Sequence, residues 1–226
     1  MTLDQYATAK KLPLDFLKSC GLSEQNYERK PAVRIPYFGD SGEEVAVRFR
    51  IALESDRFRW RSGSKPSLYG LNHLAEARKA GHVVLVEAES DCHTLWYYGA
   101  PALGLPGAAN WREQRDAPHL DGIEAIYVLI EPDRGGEVIT QWLSRSTIRH
   151  RTKLINLAVK DASALHLKGP SEFMRRVHLS YRLQVGQAWQ DIDEKVRIEY
   201  VPCRFGGVRP YFICPGSAKA PTASGA

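Results

Sequence analysis

The chain has 226 residues, of which 43% are hydrophobic and 25% are charged, and its formal net charge is +5. This composition is typical of a soluble globular protein with a substantial core. No apolar run approaches the ~20 residues of a membrane-spanning helix, which excludes an integral helical membrane protein. The N-terminal segment also lacks the apolar core of a secretion signal, so we expect a cytoplasmic protein with no membrane partner.

The charge is spread unevenly along the chain. Residues 81–168 are net acidic, whereas residues 1–80 and 169–226 are net basic. A metal site flanked by surfaces that attract polyanions would give this distribution. Ordinary scatter of a few charges is the alternative explanation.

Two short helices are predicted at the start. Thr2 and Gln5 form a capping-box pattern ahead of a helix over about 3–11. Pro13 opens a second helix, and Gly21 ends it.

Two strands follow, at 32–38 and 44–53, joined by a turn rich in glycine and acidic residues. Alternation along the second strand places Arg48 and Arg50 on one face of the sheet. The next segment interleaves further basic residues, among them Lys65, with aromatic ones. A solvated strand face is the plain interpretation of this pattern, and a phosphate-binding surface is the functional one.

From residue 71 the pattern changes to helices that alternate with apolar strands. The predicted strands lie at 82–87, 101–107, 125–131 and 152–158. The predicted helices lie at 71–81, 90–99, 116–122, 136–146 and 161–167. Continuous apolar strands separated by helices indicate a parallel sheet covered on both faces. In such sheets, ligands bind at the carboxyl ends of the strands.

Acidic residues follow two of these strands. Glu87 ends one strand, and Glu131 and Asp133 follow another. If the two strands are neighbours, the three carboxylates converge at one edge of the sheet, and a hard cation such as Mg²⁺ would relieve their repulsion. Helix capping by Asp91 and Asp133 is the alternative. His93, at a helical position nearby, is interpreted as packed or solvated.

The alternation stops after about residue 170. One segment (172–184) fits either a helix or a strand, and residues 195–216 indicate two strands joined by a Gly-Gly turn. The tail 216–226 is predicted to be disordered. Cys20 and Cys92 are predicted to be small buried residues.

Four segments together resemble the TOPRIM domain of phage- and plasmid-type primases. They are VVLVEAESDCHTLWYYGAPALGLPGAANW, IYVLIEPDRGG, VKDASALH and GSKPSLYGL. The resemblance covers roughly residues 30–168. It implies an α/β TOPRIM fold, a Rossmann-like and mainly parallel sheet with helices on both faces, preceded by a small α+β subdomain. The implied domains are 1–78 (basic subdomain), 79–168 (TOPRIM), 169–215 (a β-containing segment) and 216–226 (the tail).

The resemblance also implies a set of site residues. Glu87, Glu131 and Asp133 would be catalytic and would hold Mg²⁺ or Mn²⁺, and Asp91 and Asp161 would complete the metal set. The sequence departs from the motifs at two positions: Ala88 stands where a glycine is usual, and Glu131, which is longer but can still ligate a metal, stands where an aspartate is usual.

Basic residues would then bind nucleic acid or nucleotide phosphates: Arg48, Arg50, Lys65 and Arg134. The implied partners are single-stranded DNA and nucleoside triphosphates, with a replicative helicase as a further expected partner. The implied role is DNA primer synthesis during replication of a phage or other mobile element. A TOPRIM nuclease and an inactive nucleic-acid-binding accessory protein are the alternatives.

The segment VPCRFGGVRPYFICPG resembles the opening of a bacterial zinc-ribbon-like module. Cys203 and Cys214 supply two thiolates, whereas a tetrahedral zinc site needs four ligands. We therefore expect a truncated module that binds no zinc within one chain. A Cys203–Cys214 disulfide is disfavoured in a reducing cytoplasm.

Overall fold

The computed structural model describes residues 1–54, 57–156 and 159–169 in full. Beyond residue 169 it describes the backbone of four strands only. None of the helices among these residues has the length and apolar character that crossing a bilayer requires.

The N-terminal part consists of two helices and an antiparallel sheet. The helices are α1 (Leu3–Lys10) and α2 (Leu14–Ser19). The strands are β1 (Ser23–Tyr27), β2 (Lys30–Phe38), β3 (Glu44–Arg50) and β4 (Phe58–Trp60), in the order β1-β2-β3-β4. The predicted capping box is confirmed, because Thr2 accepts from the Gln5 backbone and the Gln5 side chain accepts from the Thr2 backbone.

Two of these strands were not predicted. β1 is polar throughout (SEQNY) and therefore lacks the apolar alternation by which strands are recognised. β4 has three residues, too few for a periodic pattern. The strand predicted at 44–53 ends earlier, at Arg50.

The hairpin between β1 and β2 turns through two residues in left-handed backbone conformation, Glu28 (φ 49°) and Arg29 (φ 64°). Asparagine and glycine adopt this conformation with less strain. The double substitution Glu28→Asn/Arg29→Gly should therefore raise the free energy of unfolding by about 1 kcal/mol, measured by urea denaturation. Glu28→Ala/Arg29→Ala removes the same charges without easing the backbone and should give no gain; an equal gain would point to charge instead.

The second part is the predicted parallel sheet with helices on both faces. Its strands are β5 (His82–Val86), β6 (Ala102–Gly104), β7 (Ala125–Ile130) and β8 (Thr152–Asn156), in the order β6-β5-β7-β8. Its helices are α3 (Leu74–Ala80), α4 (Glu89–Tyr97), α5 (Glu113–Asp116), α6 (Arg134–Leu143) and α7 (Ala162–Lys168). The predicted alternation of helices and strands is confirmed.

Alternate side chains of the parallel strands face two different cores. Val84 and Val86 of β5 pack in one core with α1, α4 and α7, and with the antiparallel sheet. Val83 and Leu85 pack in the other with α3 and α6. The first core contains residues from both sides of the boundary predicted between residues 78 and 79, so the two parts share one apolar interior.

The C-terminal segment contains two antiparallel pairs. They are β9 (His178–Val185) with β10 (Ala188–Lys195), and β11 (Arg197–Pro202) with β12 (Val208–Ile213). The segment that fitted either helix or strand is thus strand from His178, and the two strands predicted at 195–216 are confirmed. β10 was not predicted. The Gly-Gly turn, Cys203, Cys214 and the tail 216–226 lie outside the described residues.

Candidate metal centre

The two strands that end in acidic residues are neighbours in the sheet. β5 and β7 pair in parallel, with Leu85 opposite Val128. Glu87 and Glu131, which follow these strands, therefore lie at the same carboxyl edge. The edge is a narrow cleft, and α4 and α7 supply Asp91 and Asp161 to its lining.

Three carboxylates form the tightest cluster at this edge. Asp91, Glu131 and Asp161 each place a side-chain oxygen within 4.8 Å of the other two. Asp91 lies in the first turn of α4 and is buried, and it accepts from the backbone N–H of Ser163 at 2.8 Å. Asp161 precedes α7 and caps it by accepting from the Ala164 N–H at 2.6 Å. All the donors are oxygens, the ligands that Mg²⁺ and Mn²⁺ prefer.

The other two predicted ligands, Glu87 and Asp133, lie beside this cluster. Asp133 caps α6, because its Oδ1 accepts from the N–H groups of Gly135 (2.8 Å) and Gly136 (3.2 Å). The capping interpretation is thus confirmed for Asp133. Asp91 is not the N-cap of α4, since it lies in the first turn of that helix, but it accepts from an N–H in the first turn of α7.

Gly135 and Gly136 lie too close to neighbouring oxygen atoms to carry a Cβ. A Cβ on Gly135 would lie 2.9 Å from the Glu87 carboxylate and 3.0 Å from that of Asp133. A Cβ on Gly136 would lie 2.1 Å from the Glu131 carbonyl oxygen. The glycines therefore let the Glu87 and Asp133 carboxylates approach the start of α6.

The carboxylates repel one another. Burial, with the charges of Glu87 and Asp161, raises the pKa of Glu131 to about 7. Burial and the charge of Asp161 raise the pKa of Asp91, and burial and Asp133 raise that of Glu87. The nearby cation Lys160 lies 3.9 Å from Glu131 Oε2 and offsets only part of this repulsion.

One oxygen in the group lacks a partner. Glu87 Oε1 is buried and, among the described residues, accepts no hydrogen bond. Buried polar atoms are normally hydrogen-bonded or bound to an ion, and this oxygen is placed to accept such a partner. The oxygen donors, the raised pKa values and this oxygen together fit a divalent cation.

The predicted phosphate-binding arginines are engaged inside the protein. Arg48 Nη1 donates to Glu89 Oε1 at 2.8 Å, and its guanidinium lies 4.0 Å from the Phe58 ring centroid. Arg50 is only 4% exposed and donates to the carbonyls of Ala52 and Leu53. Both arginines thus hold the N-terminal sheet together, and their binding of phosphate stays a prediction.

Lys65 and Arg134, by contrast, are exposed. Lys65 lies in the loop after β4, and Arg134 is the first residue of α6, beside Asp133. These two cations are the predicted phosphate-binding residues that a strand of nucleic acid can reach directly.

His93 is packed, which is the first of the two predicted alternatives, packed or solvated. It is fully buried, its Nδ1 is hydrogen-bonded to the Tyr6 hydroxyl (3.0 Å) and its Nε2 to the Tyr69 hydroxyl (2.8 Å). Burial lowers the pKa of His93 to about 3, so the ring stays neutral at physiological pH.

The sequence alone did not reveal two contacts near the carboxylates, one between Glu89 and Arg48 and one between Lys10 and Ser163. Glu89, two residues after Glu87, is directed away from the cluster and pairs with Arg48. Lys10 and Ser163 lie far apart in sequence, and their contact leaves no signal in a single sequence.

Solved structures of other proteins share this fold, although sequence comparisons found no match. No protein-family model matches the chain, and no curated protein matches it. Among solved structures, it is similar to the RNA polymerase domain of Mycobacterium tuberculosis primase DnaG (14% identity, TM-score 0.58, covering 73% of this chain and 71% of that one). It is similar to the primase fragment of the bacteriophage T7 primase-helicase protein (19%, 0.57, 74% and 69%).

A third similar structure is a DnaG primase catalytic domain bound to single-stranded DNA (14% identity, TM-score 0.55, covering 75% of this chain and 68% of that one). The fold is therefore that of the TOPRIM-containing primase catalytic cores, as the motifs predicted.

Proposed function

We propose that the chain is a primase-type nucleotidyltransferase that joins nucleotides on a single-stranded DNA template with the help of Mg²⁺ or Mn²⁺. The observation that carries the proposal is the Asp91–Glu131–Asp161 cluster, whose oxygens lie within 4.8 Å of one another at the carboxyl edge of a primase-type sheet. The similar structures support the substrate class, because one of them is bound to single-stranded DNA.

The carboxylates would hold the cation. Asp91, Glu131 and Asp161 form the close set, and Glu87 and Asp133 lie beside it to hold a second ion or to orient water. A bound divalent cation neutralises the charge that develops on the phosphates during nucleotidyl transfer.

The remaining residues would position the substrates. The exposed cations Lys65 and Arg134 would contact the phosphates of template or nucleotide. Because Arg134 opens α6, its backbone lies at the positive end of a helix dipole, which also favours an anion there. Arg48 and Arg50 would support the N-terminal sheet, from whose last strand the loop that carries Lys65 extends.

The test is primer synthesis on single-stranded DNA with labelled nucleotides and Mg²⁺ or Mn²⁺, with Glu131→Ala/Asp133→Ala alongside. We expect metal-dependent oligonucleotides from the wild type and none from the double variant. Glu124→Ala, an exposed acid at the opposite edge of β7, is the matched control and should retain activity.

Two outcomes would replace the proposal. Degradation of the template by the wild type alone, without synthesis, would make the protein a metal-dependent nuclease. Equal binding of the strand by both proteins, with neither reaction, would make it a binding protein.

A further inference from the structure

The first helix packs against the elements that carry the carboxylates. Leu3 and Tyr6 of α1 are buried in the same core as Ala162 and Leu165 of α7. The Tyr6 hydroxyl is also hydrogen-bonded to His93 of α4. α1 precedes the parallel sheet in sequence, and it contacts both α4, which carries Asp91, and α7, which Asp161 caps.

Lys10, the last residue of α1, extends its side chain toward the candidate metal centre. Its Nζ donates to Ser163 Oγ at 2.9 Å, and Ser163 is only 1% exposed. The backbone N–H of the same serine donates to Asp91 Oδ1 at 2.8 Å. Ser163 lies two residues after Asp161, so Lys10 holds the residue that connects two members of the carboxylate cluster.

The C-terminal end of α1 also contacts α7 through a second pair of hydrogen bonds. Lys11 Nζ donates to the Leu167 carbonyl at 3.1 Å, and His166 Nε2 is hydrogen-bonded to the Lys11 carbonyl at 3.1 Å. α7 has seven residues, and isolated helices of that length are not stable. Its position must therefore be set by contacts such as these.

The Lys10 ammonium lies in an unfavourable environment for a cation. Burial and the charge of Arg50 lower the pKa of Lys10, while Asp91 and Asp161 oppose that shift. Placing a charged group there costs free energy unless it is paired. The hydrogen bond to Ser163 and the charges of Asp91 and Asp161 offset part of that cost.

We propose that Lys10 is a positioning residue of the metal centre: through Ser163 it fixes the start of α7 and, with it, the separation of the Asp91 and Asp161 carboxylates. The inference rests on the proposed function, because it takes the carboxylate cluster to be a cation site.

Lys10→Met should change the affinity for a cation in opposite directions, depending on whether Lys10 acts by positioning the carboxylates or only through its charge. Loss of a nearby positive charge, acting alone, would make the acids bind a cation more tightly. Loss of the contact to Ser163 would let the carboxylates separate and bind it more weakly, as happens when the groups that orient metal ligands are removed. The sign of the change in affinity therefore decides between them.

The experiment is titration of the full chain with Mn²⁺, followed by electron paramagnetic resonance, for the wild type, Lys10→Met, Ser163→Ala and Lys18→Met. We expect Lys10→Met to weaken Mn²⁺ binding by roughly 10-fold or more. Ser163→Ala keeps both the ammonium and the backbone N–H, and should weaken binding in the same direction by less. Lys18→Met removes an exposed lysine of α2 and should bind like the wild type.

Activity gives an independent readout. The Mg²⁺ concentration for half-maximal primer synthesis should rise in Lys10→Met by the same factor, while the rate at saturating Mg²⁺ recovers. Thermal unfolding of each variant verifies that it is folded.

Mn²⁺ binding by Lys10→Met that is as tight as in the wild type, or tighter, would overturn the inference and leave the proposed function standing. Tight binding by the wild type without primer synthesis would overturn the proposed function, and the comparison of affinities would still decide the role of Lys10. A wild type that binds no Mn²⁺ would overturn both.

Discussion

Glu131→Gln should abolish metal-dependent primer synthesis and, at neutral pH, make the metal-free protein more stable. The charges of Glu87, Asp161 and Asp133 raise the pKa of Glu131, as does burial. Glutamine keeps the shape and one carbonyl oxygen, but it removes the negative charge that a cation needs. We expect synthesis to fall by more than ~100-fold.

The gain in stability should depend on pH. The pKa of Glu131 is raised to about 7 from an ordinary 4.5. Its contribution to stability is therefore fully present below about pH 4.5 and is lost as the pH rises through about 7. Glu131→Gln removes this loss, so the variant should exceed the wild type by an amount of the order of 1–3 kcal/mol at about pH 8 and match it near pH 4.5.

Urea denaturation at both pH values, without added metal, measures the stability difference. Glu124→Gln removes an exposed acid at the other edge of the sheet and should give no pH-dependent gain. Retained synthesis in Glu131→Gln would show that this carboxylate is not a metal ligand. A stability difference that is the same at both pH values would show that the carboxylates do not repel one another.

Arg48→Met is expected to destabilise the protein by about 3–5 kcal/mol, because it leaves the buried carboxylate of Glu89 without its cation. Glu89 is only 3% exposed, and it accepts from both Arg48 (2.8 Å) and the Tyr37 hydroxyl (2.5 Å). Burial alone would raise the pKa of Glu89, but Arg48 and Tyr37 outweigh it and hold that pKa below its usual value. A loss of this size is a large fraction of the 5–15 kcal/mol that stabilises a typical domain.

A double-variant cycle isolates the pair. Glu89→Gln alone should also destabilise, and adding it to Arg48→Met should recover part of the loss, because the unpaired charge is then absent. Urea denaturation measures stability, and fluorescence anisotropy with labelled single-stranded DNA measures binding. If Arg48→Met weakens DNA binding while stability is unchanged, Arg48 contacts phosphate as the sequence alone suggested.

The parallel sheet and its acidic edge could be predicted because their signals are local. Two of the apolar strands are followed by acids and then by a helix, and the pairing of β5 with β7 brings Glu87 and Glu131 together.

The environment of Arg48 could not be predicted. Alternation correctly placed Arg48 and Arg50 on one face of β3, opposite Val47 and Phe49, but both faces are covered. An arginine on a strand normally indicates a solvated face. Here its partner Glu89 comes from a helix 41 residues later, and only the tertiary structure brings the two charges together.

The contact between α1 and α7 sets the order in which the site can be completed during synthesis. Lys10 and Ser163 are separated by 153 positions in the chain. A ribosome delivers α1 first, and the carboxylate cluster remains unassembled until α7 has left the exit tunnel and packed against it. Long-range closure of this kind slows folding, so a nascent chain that already holds Glu87 and Glu131 completes the candidate cation site only in a late step.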